Sequence, residues 1–125
     1  MPDADVSALR TVRIAHSSDS DDAFMFYAFI QGLLDDSGLD VRHELKDIES
    51  LNQAVFDGTY DITAISFHAY AHLHRRYRLM PSGASFGDGY GPVVVAREPL
   101  GRDDLAGRRV VIPGTLTTAH LAFRL

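Results

Sequence analysis

Apolar residues recur along the chain in short runs separated by polar turns, and their period changes from one run to the next. Thr11–Ala15 is apolar with β-branched residues and predicts a strand. The polar turn Asp19–Asp22 follows. Ala23–Leu34 then carries a broad apolar face and predicts a helix, with Gly38 in the loop behind it. Val41–Leu45 alternates apolar and polar positions and predicts a second strand. Ile48–Phe56 predicts a short amphipathic helix, started by Asp47 as N-cap and stopped by Gly58. Ile62–Ser66 predicts a third strand, apolar enough for burial on both faces, and Phe67–Arg75 a further helix. Tyr77–Met80 reads as a short extended piece ahead of a glycine-rich loop, Ser82–Gly91. Pro92–Arg97 and Val110–Ile112 predict two more buried strands, joined by a connector, Pro99–Gly107, with a helical turn at Arg102–Ala106. Thr117–Leu125 predicts a last helix after the Pro113-Gly114 turn. The order βαβαβα followed by ββα predicts an α/β fold with a mainly parallel sheet.

Length and charge narrow the classes. The 125 residues suffice for one domain with a real core. A formal net charge of -5 gives nucleic-acid binding no support, and the absence of cysteine excludes disulfides and thiolate metal sites. The N-terminal MPDADVSALR has neither the basic nor the apolar region of a signal peptide, and no apolar run approaches the ~20 residues that span a bilayer. The expectation is a cytoplasmic protein without nucleic-acid or membrane partners.

The candidate chemistry lies where strands hand over to helices. Ser66 ends the third predicted strand, Ser17 and Ser18 follow the first, and Thr117 and Thr118 open the last helix. Unpaired N–H groups and the helix dipole at such junctions suit a small anion, and a hydroxyl adds a donor. Plain N-capping explains each hydroxyl singly; three such junctions together suggest one polar cleft. Asp19, Asp21 and Asp22 lack calcium-loop spacing and complement the charge of the helix they precede. His68 and His72 are i,i+4 neighbours, but Ala69 stands where a zinc protease motif needs Glu, and His74 lies on another face. No metal site is expected. Arg75, Arg76 and Arg78 read as a solvated face. Gly83, Gly87, Gly89 and Gly91 lead into a predicted strand rather than a helix, so they fit a tight crossing near a ligand better than a nucleotide loop.

Longer runs carry a resemblance: DAFMFYA (Asp22–Ala28), LKDIESLNQ (Leu45–Gln53), the Gly58-x-Tyr60-Asp61-Ile62-Thr63 run, ISFHAY (Ile65–Tyr70), LMPSGASFGDGYGPVVVAREPL (Leu79–Leu100) and LAGRRVVIPGTLTTAHL (Leu105–Leu121). Together they resemble the 1,4-dihydroxy-6-naphthoate synthase family of the futalosine route to menaquinone. The resemblance implies a periplasmic-binding-protein type II-like fold. Residues 1–91 would form an incomplete first α/β lobe, and residues 92–125 the crossover and the start of a second. It implies a lyase that cleaves cyclic dehypoxanthine futalosine to 1,4-dihydroxy-6-naphthoate without metal or organic cofactor. A small carboxylate substrate would be held by Ala64, Ile65 and Ser66 and by Thr117 and Thr118, with Ser17 and Ser18 beside the cleft. The full-length form would be a monomer or homodimer.

Three departures accompany it. Ser17-Ser18-Asp19-Ser20-Asp21-Asp22 stands where the family has Ser-Pro-Cys-Pro-Asn-Asp. Ala64 replaces a position often longer and polar. The family's general-base histidine falls beyond Leu125, so none of the six histidines here matches it, and these 125 residues alone are expected to be inactive. Two other readings share the fold: a solute-binding protein for a small carboxylate, and the sister chorismate dehydratase.

Overall fold

The computed structural model describes residues 10–34 and 38–125. Residues 1–9 of the N-terminal segment read above for a signal peptide lie outside them, as do residues 35–37 beside Gly38. Three parallel strands form the sheet, β1 (Arg10–His16), β2 (Leu39–Leu45) and β3 (Ile62–Thr63), in the order β2-β1-β3. Helices α1 (Ser20–Ile30), α2 (Ile48–Phe56) and α3 (Phe67–Leu73) follow the strands in turn, and α4 (Thr118–Arg124) ends the chain after a single 3₁₀ turn at Asp103–Leu105. The α/β class and the parallel sheet are as the pattern predicts. Among the described residues no helix is long and apolar enough to cross a membrane.

Local chemistry accounts for most boundaries. Asp47 caps α2 by accepting from the Ser50 N–H at 3.0 Å. Gly58, at φ 72°, closes it: its N–H reaches Val55 O, and the Thr59 N–H reaches back to Ala54 O. The same motif ends α1 four residues before the predicted Leu34. Gly32 adopts φ 65°, its N–H donates to Phe29 O, and the Leu33 N–H donates to Ala28 O. A lone glycine inside an apolar run was therefore a stop. β3 is shorter than predicted and only half-buried, because the Ser66 N–H turns out of the ladder to the side chain of Asn52.

The larger correction concerns Pro92–Arg97 and Val110–Ile112. Neither run joins a sheet among the described residues. Val93, Val95 and Val111 are 81%, 87% and 92% exposed, so these are not buried strands. Their composition suits a pleated, covered surface, but a strand exists only where a neighbour supplies hydrogen bonds.

The core lies between the sheet and α2. Ala15 and Leu51 are fully buried, and Tyr60 nearly so, with Ile48, Ala54 and Ala64 packed against them. The Tyr60 hydroxyl donates to Glu44 Oε2 at 2.6 Å at the rim. Helix α1 meets the sheet through aromatic rings instead. His16, 1% exposed, stacks on Phe26 at 4.2 Å between centroids, and His43 lies 4.6 Å from His16 and edge-on to Phe29. His16 Nδ1 contacts Ser17 O at 2.5 Å, whereas Nε2 of both His16 and His43 is buried without a partner among the described residues.

Two predictions follow from this packing. Replacing Val93 and Val95 by Thr should change the stability of the 125-residue polypeptide by less than about 0.5 kcal/mol, whereas Leu51→Ala should cost roughly 2–5 kcal/mol. Urea unfolding measures both, and a large loss from the valine pair would place those residues in a packed strand after all. Burial, and then the neighbouring His16, holds the His43 pKa below the usual histidine range. The folded state thus resists a proton that the unfolded chain takes up, so stability is full above about pH 6.5 and falls as pH drops through the folded pKa. The thermal midpoint should decline over that window, and His43→Phe should flatten the decline.

Candidate functional site

β1 lies between β2 and β3, and all three strands run the same way. The chain leaves β1 toward β2 on one side, while β3 occupies the other. In open α/β sheets the carboxyl edge at such a divergence forms a crevice. Two predicted groups sit there: Ser17 and Ser18 after β1, and Ala64, Ile65 and Ser66 after β3. The third, Thr117 and Thr118, arrives from far along the chain and docks on the first turn of α3. The His68 N–H donates to Thr118 Oγ1 at 3.3 Å, and the His68 ring meets Thr117 O at 3.3 Å.

The hydroxyls are not equivalent. Thr117, 3% exposed, donates to Gly114 O at 2.8 Å and accepts from the His120 N–H at 3.2 Å, so it is the N-cap of α4 and its proton is engaged. Ser66 Oγ accepts from Asn52 Nδ2 at 3.1 Å, and Thr118 Oγ1 accepts from His68. A hydroxyl carries one donor and two acceptor positions, and neither Ser66 nor Thr118 donates to another described residue. Each therefore keeps an O–H that no described residue accepts. Ser17 is buried in its turn: its N–H donates to Asp22 Oδ2 at 2.8 Å, and its hydroxyl accepts from the Asp19 N–H at 3.2 Å. Ser18 is exposed. Asp22 is thus a structural acceptor at the start of α1. The hydroxyl of Ser85 in the glycine-rich loop, then backbone N–H groups, hold the Asp21 carboxyl below the usual range. Phe86 of that loop lies 5.7 Å from Phe67, the first residue of α3.

Two residues that the hydroxyl pattern did not single out organise this edge. Asn52, fully buried on α2, accepts from the Ser66 N–H at 2.9 Å while its amide donates to the Ser66 hydroxyl. One turn earlier, Glu49 accepts from the Thr115 N–H and hydroxyl, both at 3.1 Å, and from the Leu116 N–H at 3.2 Å. Burial, the largest single influence, opposes ionisation of Glu49. The Leu116 N–H, the Thr115 hydroxyl and the amides of Gln53 and Asn52 together outweigh it and hold the carboxyl below the usual glutamate range. The available signal was their i,i+3 spacing, which puts both on one face of the amphipathic helix.

A family model described as menaquinone biosynthesis matches residues 12–125. The chain belongs to this menaquinone biosynthesis family. It is 38% identical over 117 residues to a curated Thermus thermophilus protein named 1,4-dihydroxy-6-naphtoate synthase, covering 94% of this chain and 42% of the relative. It is 34% identical over 116 residues to a Streptomyces coelicolor protein of the same name, covering 92% and 40%. A crystal structure of an Archaeoglobus fulgidus protein superposes with a TM-score of 0.83 at 49% identity, over 91% of this chain and 42% of that one. The chain therefore spans about two fifths of the length of these relatives. All of the organising contacts fall within the stretch matched to the menaquinone biosynthesis family: Asn52 to Ser66, Glu49 to Thr115 and Leu116, and His68 to Thr118.

Asn52→Leu should destabilise the fold by roughly 1–3 kcal/mol, because it leaves the half-buried Ser66 N–H without its acceptor. Ser66→Ala keeps that bond to the Ser66 N–H and should cost less. Denaturant unfolding of both variants checks the order, and equal losses would show that the Ser66 N–H does not matter.

Proposed function

We propose that this chain forms part of a 1,4-dihydroxy-6-naphthoate synthase-like lyase of the futalosine route, which cleaves cyclic dehypoxanthine futalosine to 1,4-dihydroxy-6-naphthoate. The observation that carries the reading is the meeting of two helix starts at the carboxyl edge of the sheet, with the hydroxyls of Ser66 and Thr118 both able to donate. Family membership and the name of the relatives support this reading.

On this reading the substrate carboxylate lies against the segment Ala64–Ser66 and the pair Thr117–Thr118. Ser66 and Thr118 donate to it, while Thr117 contributes by fixing the start of α4. Ala64 and Ile65 offer backbone and apolar contact to the ring system, and Ser17 and Ser18 bound the crevice on the β1 side. The proton-abstracting histidine comes from the portion of the family fold that these residues do not span. Imidazole suits that task because its ordinary pKa of about 6.5 lies near working pH.

The natural full-length polypeptide, supplied with cyclic dehypoxanthine futalosine, should release 1,4-dihydroxy-6-naphthoate. Thr118→Val should weaken substrate binding by roughly 1–3 kcal/mol in calorimetry, as expected for one hydrogen bond to a charged group. Binding of a small carboxylate without turnover would favour a solute-binding protein, and turnover of chorismate the sister dehydratase. Unchanged affinity in the valine variant would remove Thr118 from the site.

A further inference from the structure

Glu49 and Gly114 fit each other. A carboxylate that accepts two backbone N–H groups and a hydroxyl from one short turn imitates a bound anion, and here the anion belongs to the protein. Its approach requires a bare backbone, since a Cβ at Gly114 would run into the Glu49 carboxylate, and Gly114 adopts a φ of 150°. The tethered turn leads at once into Thr117 and Thr118. His120 holds the same turn from α4, with its ring against Thr115 O at 3.0 Å and its N–H on Thr117 Oγ1. The start of α3 is fixed from the same helix by Asn52, so α2 sets the positions of both helix starts through two side chains one turn apart.

We propose that Glu49 is a positioning residue: its carboxylate, seated on the Thr115 and Leu116 N–H groups, fixes the start of α4 against α3 and so sets the direction of the Thr118 hydroxyl. The turn's N–H groups are thereby filled from within, and an incoming anion meets Ser66 and Thr118 instead. The link to substrate rests on the function proposed above; the latch itself does not.

The test uses the natural full-length polypeptide and separates the two. The amide resonances of Thr115 and Leu116 should shift with pH as one carboxylate titrates below the usual glutamate range, and this response should vanish in Glu49→Gln. The proximity of His68 to Thr118, read as a nuclear Overhauser contact, should persist in Glu49→Gln, whose carbonyl still accepts, and be lost in Glu49→Ala. Affinity for cyclic dehypoxanthine futalosine should fall about tenfold in Glu49→Ala, equivalent to ~1.4 kcal/mol, and should largely return in Glu49→Gln. Thr118→Val should then cost nothing more in the alanine background, because the hydroxyl is already misdirected. A general loss of stability would lower the melting temperature yet leave the effect of Thr118→Val intact. Amides of Thr115 and Leu116 that ignore both pH and Glu49→Gln would overturn the latch. So would additive effects of the alanine and valine changes. A polypeptide that shows the amide and Overhauser responses but neither binds nor cleaves the futalosine derivative would uphold the latch and end the functional reading.

Discussion

The buried amide of Asn52 is the contact on which the carboxyl edge of the sheet depends. A side chain with no exposed surface must satisfy its polar atoms inside the protein, and both ends of the Asn52 amide reach Ser66. That pair of bonds ends β3, because the N–H that would continue the ladder is turned aside. It also starts α3, because Ser66 is then placed as its N-cap. An apolar residue of similar size at position 52 could fill the space, but it could not make the chain change direction there. Packing by Leu51 and Val55 holds α2 on the sheet, and the polar side chains between and beside them convert that rigidity into orientation of the neighbouring turns.

The site divides its polar groups into those that hold shape and those that remain open. Asp22, Asp47, Thr117 and Glu49 each satisfy backbone N–H groups of nearby turns. Among the described residues Ser66 and Thr118 only accept, so their protons are available. On the proposed reading this division is what lets a net acidic chain offer an anion that edge: the carboxylates of Asp22, Asp47 and Glu49 are engaged with N–H groups.

Much of the fold was legible because it is decided locally. Asp47 and Gly58 bracket α2 through bonds within a few residues, and the alternation in β2 and the β-branched run of β1 mark a half-buried strand and one buried at its carboxyl end. What was missed depends on distance or on absence. Gly32 falls inside the predicted helix because the apolar run continues past it, whereas its backbone takes the left-handed conformation that ends one. The valine-rich runs have every compositional mark of strands, but composition describes what a segment could pair with, and no described strand lies beside them. At the site, hydroxyls at three junctions could be seen from the pattern. Which hydroxyls would keep a proton to donate could not, since Ser66 and Thr118 meet Asn52 and His68, partners that sequence spacing does not place. Glu49 and Asn52 were visible only as part of a helix face.

The contact between Glu49 and Thr115 spans 66 residues of sequence, far more than the bonds that shape α2 itself. Bringing such distant positions together costs loop entropy that grows with the logarithm of the separation, so contacts of this kind form after local ones have reduced the effective length of the chain. The sheet and α2 can assemble first, with the carboxyl edge still unfinished. The edge is completed only when the Gly114 turn arrives and is captured. Completion of this edge is then expected late in folding, and by the same reasoning early in unfolding. Amide exchange in the Thr115–Leu116 turn would report partial opening while β1 and β2 remained protected.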